Sequence, residues 1–210
     1  MKKWLKRISV VIVALVVAVG AYAGVLLALD REPMISEARA SWIYNVYDLR
    51  EVVGFADHAF VGRVVSNNGR EFPIGNFHWP YTNYDIEVLE VIKGDLALGV
   101  IPVQKEGGLL RFSWLNFFFY GGRRIYRVLE GDSLPQVGNT YLFTAVTWPD
   151  GTITINGSPN ANLLLQDGSA PGIARAYAEH DYIAQALEAY ENQIVFDRER
   201  AETPAEFRAE

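Results

Sequence analysis

A chain of 210 residues with 50% hydrophobic and 21% charged residues has the makeup of one folded domain with appendages, and excludes an intrinsically disordered chain. The absence of cysteine excludes a disulfide scaffold, a Cys-ligated zinc or iron–sulfur site, a thiol nucleophile and a lipoprotein anchor. Lys2, Lys3, Lys6 and Arg7 are the only charges before Asp30, and setting them aside leaves 15 basic against 25 acidic residues. So acidic a body, without a basic stripe, argues against nucleic acid as a partner, because phosphate neutralisation needs clustered Lys and Arg.

Ile8 to Leu29 is a run of 22 uncharged residues. At 1.5 Å per residue such a helix spans about 33 Å, the thickness of a bilayer core. The basic start places the N-terminus in the cytoplasm and the body after Asp30 outside. Ala21-Tyr22-Ala23 is also a small-x-small cleavage site, so secretion after cleavage following Ala23 is the alternative. The chain stays apolar through Gly24 to Leu29, which favours an uncleaved signal anchor in the cell membrane.

Residues 30–47 read as a juxtamembrane linker. Asp48 followed by Glu51 predicts a capping box and a short helix over Leu49 to Phe55. Strands are expected from His58 to Ser66, stopped by Asn67-Asn68-Gly69, and from Tyr81 to Ile92, where the apolar phase shifts from Tyr84, Ile86 and Val88 to Leu89 and Val91. That shift predicts a bulge or bend. Further strands are expected at Val100 to Gln104, Ile125 to Leu129, Thr140 to Thr147 and Thr152 to Ile155, with Asp150-Gly151 as a hairpin turn.

Beyond Pro159, Asp167, Gly168, Ser169 and Pro171 announce a helix through about Asn192. Its expected apolar stripe is Ala176, His180, Ile183, Leu187, Tyr190 and Ile194, packed on the barrel. From Asp197 the chain turns charged and is expected to fray into solvent. The predicted organisation is therefore 1–29 cytoplasmic start and anchor, 30–47 linker, 48–160 barrel, 161–196 packing helix and 197–210 tail. The fold class is mainly β (α+β), a small OB-like Greek-key barrel.

The run Ala56-Asp57-His58-Ala59-Phe60-Val61-Gly62-Arg63-Val64, then Tyr84 to Gly94, then Val137-Gly138-Asn139-Thr140-Tyr141-Leu142-Phe143, resembles the netrin-module and tissue-inhibitor-of-metalloproteinase barrel in order and character. It also resembles uncharacterised exported bacterial domains of similar pattern. The resemblance implies the barrel. Protease inhibition does not carry over with it, because those inhibitors meet the protease zinc with an N-terminal cysteine and this chain has none.

Catalytic motifs are thin. Gly131-Asp132-Ser133-Leu134 spells an esterase nucleophile block, but Pro135 follows at once and the later His180 lacks an Asp two residues before it, so the four residues read as a turn. His58, His78 and His180 are scattered, without metal-ligand spacing. Asp85 and Glu87 share one strand face and read as solvated exterior. No cofactor or metal is expected.

The unusual segment is Leu109 to Arg124, where Phe112, Trp114, Phe117, Phe118, Phe119 and Tyr120 gather beside Arg111, Arg123 and Arg124. Either these aromatics pack on the barrel or they form a lip that meets a partner or lipid. The functional expectation is a non-enzymatic, membrane-anchored extracytoplasmic domain that binds an envelope protein or ligand. A structural subunit of a membrane complex, or an envelope hydrolase without a recognisable motif, are the alternatives.

Overall fold

The computed structural model describes residues 2–29, 31–72, 79–168 and 181–209. His78, Ser169, Pro171, Ala176 and His180 lie outside them. In chain order the elements are α1 (Lys2–Ala28), β1 (Met34–Ala38), α2 (Leu49–Phe55), β2 (His58–Glu71), β3 (Tyr81–Lys93), β4 (Gly99–Glu106) and β5 (Gly108–Leu109), then α3 (Trp114–Phe119), β6 (Ile125–Leu129), β7 (Thr140–Thr147), β8 (Ile153–Ile155), β9 (Asn162–Gln166) and α4 (Asp181–Glu191). They divide into two compact units, Met1–Ile35 with Leu110–Tyr126, and Ser36–Leu109 with Arg127–Glu210.

The larger unit is a closed five-strand mixed barrel of OB-like type. Its strands run β2-β3-β4-β8-β7, and β7 returns to pair with β2; only the β4–β8 pairing is parallel. Alternation builds the interior: Tyr84, Ile86 and Val88 of β3 join Phe60, Val64, Ile101, Val103, Phe143 and Ile155 in one buried cluster. The expected phase shift falls where the β2–β3 register slips between Val61 and Gly62, and it turns Leu89 toward a second cluster outside the barrel. Asp150-Gly151 makes the β7–β8 turn, with Gly151 at φ +85°.

Local corrections have physical causes. β2 does not stop at Ser66; it runs to Glu71 because the long β3 continues to pair with it. The turn formers Asn67-Asn68-Gly69 are absorbed as a register slip, with Gly69 at φ +95°. Asp48 does cap α2, accepting from the Arg50 N–H, but Glu51 bonds the Asn45 N–H instead of closing a capping box. On α4 the buried residues are Ile183, Ala186 and Ala189, whereas Leu187 is 44% exposed. The expected stripe is rotated because alanines let the helix come close to Ala59, Val61, Leu142 and Leu165.

The tail does not fray. Arg198 and Arg200 both sit 2.6 Å from Asp57. Arg198 donates to Phe55 O, and Arg200 to Gly54 O and Ala56 O, the carbonyls that the end of α2 leaves open. A 3-10 turn at Ala205–Phe207 follows, and Ala97 N–H and Ala209 N–H pair the tail to the segment after β3. Its arginines Arg198 and Arg200 are clamps, while Asp197, Glu199, Glu202 and Glu206 stay exposed.

Candidate functional site

The smaller unit holds α1 and the aromatic segment. Lys6–Ala28 is 23 residues of mean hydropathy 2.8, almost wholly unburied and long and apolar enough to cross a membrane. The segment folds into the single-turn helix α3, closed by Gly121 and Gly122 at φ +63° and +79°. A Cβ on Gly122 would lie 2.9 Å from Leu26 O, so only glycine permits this approach to the last turn of α1. Phe118 stacks on Tyr22 with centroids 6.2 Å apart and planes 13° apart.

This geometry divides the aromatics that the sequence gathers. Phe117 is buried, ringed by Phe112, Trp114 and Phe118 at 5.6 to 5.7 Å between centroids. Phe118 is half-buried. Phe112, Trp114, Phe119 and Tyr120 remain exposed, as do Arg123 and Arg124, and they are joined by Leu115 at 68%. Phe119, at 77%, is the most exposed aromatic among the described residues.

A second feature was not foreseen from sequence. A cleft of about 900 Å³ opens in the barrel unit between residues 40–44, the β7–β8 turn and residues 198–202. Trp42, Tyr44, Tyr81 and Trp148 line it, with Glu106 and Asn156 among its polar groups. Trp42 is fixed by donating its indole N–H to Gly157 O at 2.8 Å, and Tyr44 stacks on Phe55 at 4.5 Å. The Glu106 carboxylate lies over bare backbone, since a Cβ on Gly157 would come 2.5 Å from its Oε2.

Behind the cleft, Lys105 and Asp132 form an ion pair at 2.6 Å with both side chains sealed from solvent, and Lys105 also donates to Asn156 O. Burial pulls the Lys105 pKa down and the Asp132 pKa up, and each partner's charge opposes that pull. Burial likewise raises Glu106, against the charge of neighbouring Lys105. Among the described residues no Lys, Arg or His nitrogen makes an ion pair with Glu106. The tyrosines Tyr44 and Tyr81 are raised by burial and feel the Glu106 charge.

No family model, curated protein or solved structure matches this chain.

What the cleft and the aromatic element do must therefore come from their chemistry. The Gly131 to Leu134 block is a turn, with Gly131 at φ +74° and Asp132 N–H bonded to Leu129 O. Its Asp132 is held by Lys105, and Ser133 Oγ accepts from Asn162 Nδ2 at 3.0 Å. Among the described residues no group of three His, Asp or Glu converges as a metal site would require. One sequence signal for the cleft existed. Period 2 in β4 places Lys105 on the inward phase with Ile101 and Val103, where a lysine needs a buried partner.

Proposed function

We propose that this protein is a membrane-anchored extracytoplasmic interaction domain without catalytic function, tethered by α1 and carrying an aromatic element that beds in the lipid interface beside its own anchor. The observation that carries this reading is that one short element does two things. Through Phe118 and Gly122 it packs on Tyr22 and Leu26 of α1, and it leaves Phe112, Trp114, Leu115 and Phe119 bare. Trp and aromatic rings flanked by Arg suit the boundary between headgroups and acyl chains, where an apolar body and a polar rim are both satisfied.

The same packing favours an anchor over a cleaved signal. Cleavage following Ala23 would remove Tyr22 and leave Leu26, now only 3% exposed, within three residues of a free terminus. The basic residues before Ile8 support an N-terminus in the cytoplasm. Barrel architecture and the quoted strand motifs support kinship with netrin-type modules at the level of fold, while the missing cysteine removes their route to protease inhibition. The turn role of Gly131 to Leu134 supports a non-catalytic reading.

Topology tests the reading directly. The membrane fraction should retain the full-length mass, and protease added to intact cells should cut the body after Asp30. A soluble form beginning at Gly24 would contradict the anchor, and a body protected in intact cells would contradict its placement outside.

A further inference from the structure

We propose that the cleft of the barrel unit is a binding site for a small organic cation, whose ammonium group sits on Glu106 among the rings of Tyr44, Tyr81, Trp42 and Trp148. The proposal concerns a different unit from the aromatic element and does not rest on it.

Three observations converge. The cleft has the volume of a small-molecule site, about 900 Å³, and its wall sets the rings of Trp42, Tyr44, Phe55, Tyr81 and Trp148 among aliphatic, polar and charged groups. Its other charges are paired or face open solvent: Arg198 and Arg200 are engaged by Asp57, Glu202 by Arg208 and Lys105 behind the wall by Asp132, while Glu199 at the rim is exposed. Glu106 holds a partly buried carboxylate at the inner wall that no cation among the described residues contacts as an ion pair, helped only by the Trp79 indole and by the charge of Lys105 acting from behind the wall. A carboxylate held so among aromatic faces is under-compensated when charged, and a ligand cation supplies both the missing ion pair and attraction to the ring quadrupoles. An anion would meet Glu106 with repulsion. A neutral ligand would leave the carboxylate as it is.

The wall of the cleft also holds polar atoms without a partner among the described residues. Thr154 Oγ1 and Asn156 Nδ2 belong to residues that line it, both residues more than nine-tenths buried, and neither atom has a hydrogen-bond partner. Asn156 Nδ2 donates and Thr154 Oγ1 can donate or accept, so a ligand hydroxyl suits this wall better than a bare alkyl chain. The acidic excess of the body, 25 acidic against 15 basic residues after Leu29, also favours approach of a cation.

The test uses the full-length protein in nonionic detergent and two probes of one shape, choline and its uncharged isostere 3,3-dimethylbutan-1-ol, at matched ionic strength. Binding is read by calorimetry and by the fluorescence of Trp42 and Trp148. Choline should bind saturably and about tenfold or more tightly than the isostere, the discrimination that a desolvated cation site provides. Glu106→Gln should lose that preference while melting no lower than wild type, because it removes a buried charge without changing shape. Trp148→Leu, at a side chain 53% exposed and therefore safe for folding, should weaken choline severalfold. Equal affinity for the two probes, unchanged choline binding in Glu106→Gln, or no saturable binding by either choline or n-butylammonium would overturn the proposal.

Discussion

Asp132→Ala is expected to destabilise the barrel unit by about 3 to 5 kcal/mol, the cost of stranding one member of a buried ion pair. Lys105 is fully enclosed, and among the described residues its ammonium has only Asp132 Oδ2 and Asn156 O, each at 2.6 Å, to replace water. Losing the carboxylate leaves a charge that must either stay unpaired or give up its proton, and burial already pulls its pKa down. Lys105→Met alone should cost a similar amount by stranding Asp132, whereas Lys105→Met with Asp132→Leu should recover most of it, since the pair offsets its own desolvation without adding much beyond that. Urea denaturation of the single and double variants measures this. An Asp132→Ala variant within about 1 kcal/mol of wild type, less than the low end of that range, would mean the site admits water.

Gly54→Val should be nearly as damaging, at about 3 kcal/mol, the upper end of overpacking penalties. A Cβ there would stand 2.0 Å from Ile194 O and 2.6 Å from its carbonyl carbon, and backbone on both sides cannot yield as a flexible side chain would. Gly54 O is also an acceptor for Arg200, so displacing residue 194 should loosen the clamp of Arg198 and Arg200 on Asp57. Proteolysis between residues 195 and 204 should become rapid in the variant, with a lowered melting temperature. A melting temperature equal to wild type would show that the tail does not dock on α2. Acid should loosen the same clamp. Burial pushes the Asp57 pKa up, but hydrogen bonds from Arg198, Thr147 and Arg200 and the Arg198 charge outweigh it and hold the carboxyl below its ordinary value. A depressed carboxyl contributes stability above its unfolded value and loses it as pH falls through the folded one.

The barrel was legible in the sequence because its strands alternate, and alternation is a local property. Tyr84, Ile86 and Val88 announced both the inward face and the place where it shifts, and Asp150-Gly151 announced its turn. Features set by distant partners were not legible. Arg198 and Arg200 find Asp57 more than 140 positions away, so two arginines in a run of charges that reads as solvated become a clamp. On α4 the large residues Leu187 and Tyr190 stand out in a list of apolar positions. Closeness is nonetheless decided by Ala186 and Ala189, whose small size the helix needs at its contact.

The aromatic segment was recognised as unusual, but its division was hidden. A one-turn helix and two glycines at positive φ turn Phe117 inward and its neighbours outward, and no periodicity in six residues could reveal that. The cleft was invisible for the same reason as the clamp. Residues 42–44, 81, 106 and 148 meet only when the barrel closes.

The most direct test of the lipid-facing role of the aromatic element exploits the absence of cysteine, which makes a nitroxide on Leu115→Cys the sole label in the full-length protein. In reconstituted vesicles, its collision rates with oxygen and with a water-soluble nickel chelate report depth. Bedding in the interface predicts oxygen contact exceeding chelate contact, at a depth of about 5 to 10 Å below the headgroup boundary, as for other interfacial apolar faces. A label at this position that meets the chelate as freely as one on the exposed β7–β8 turn would place the aromatic element in water and contradict the account.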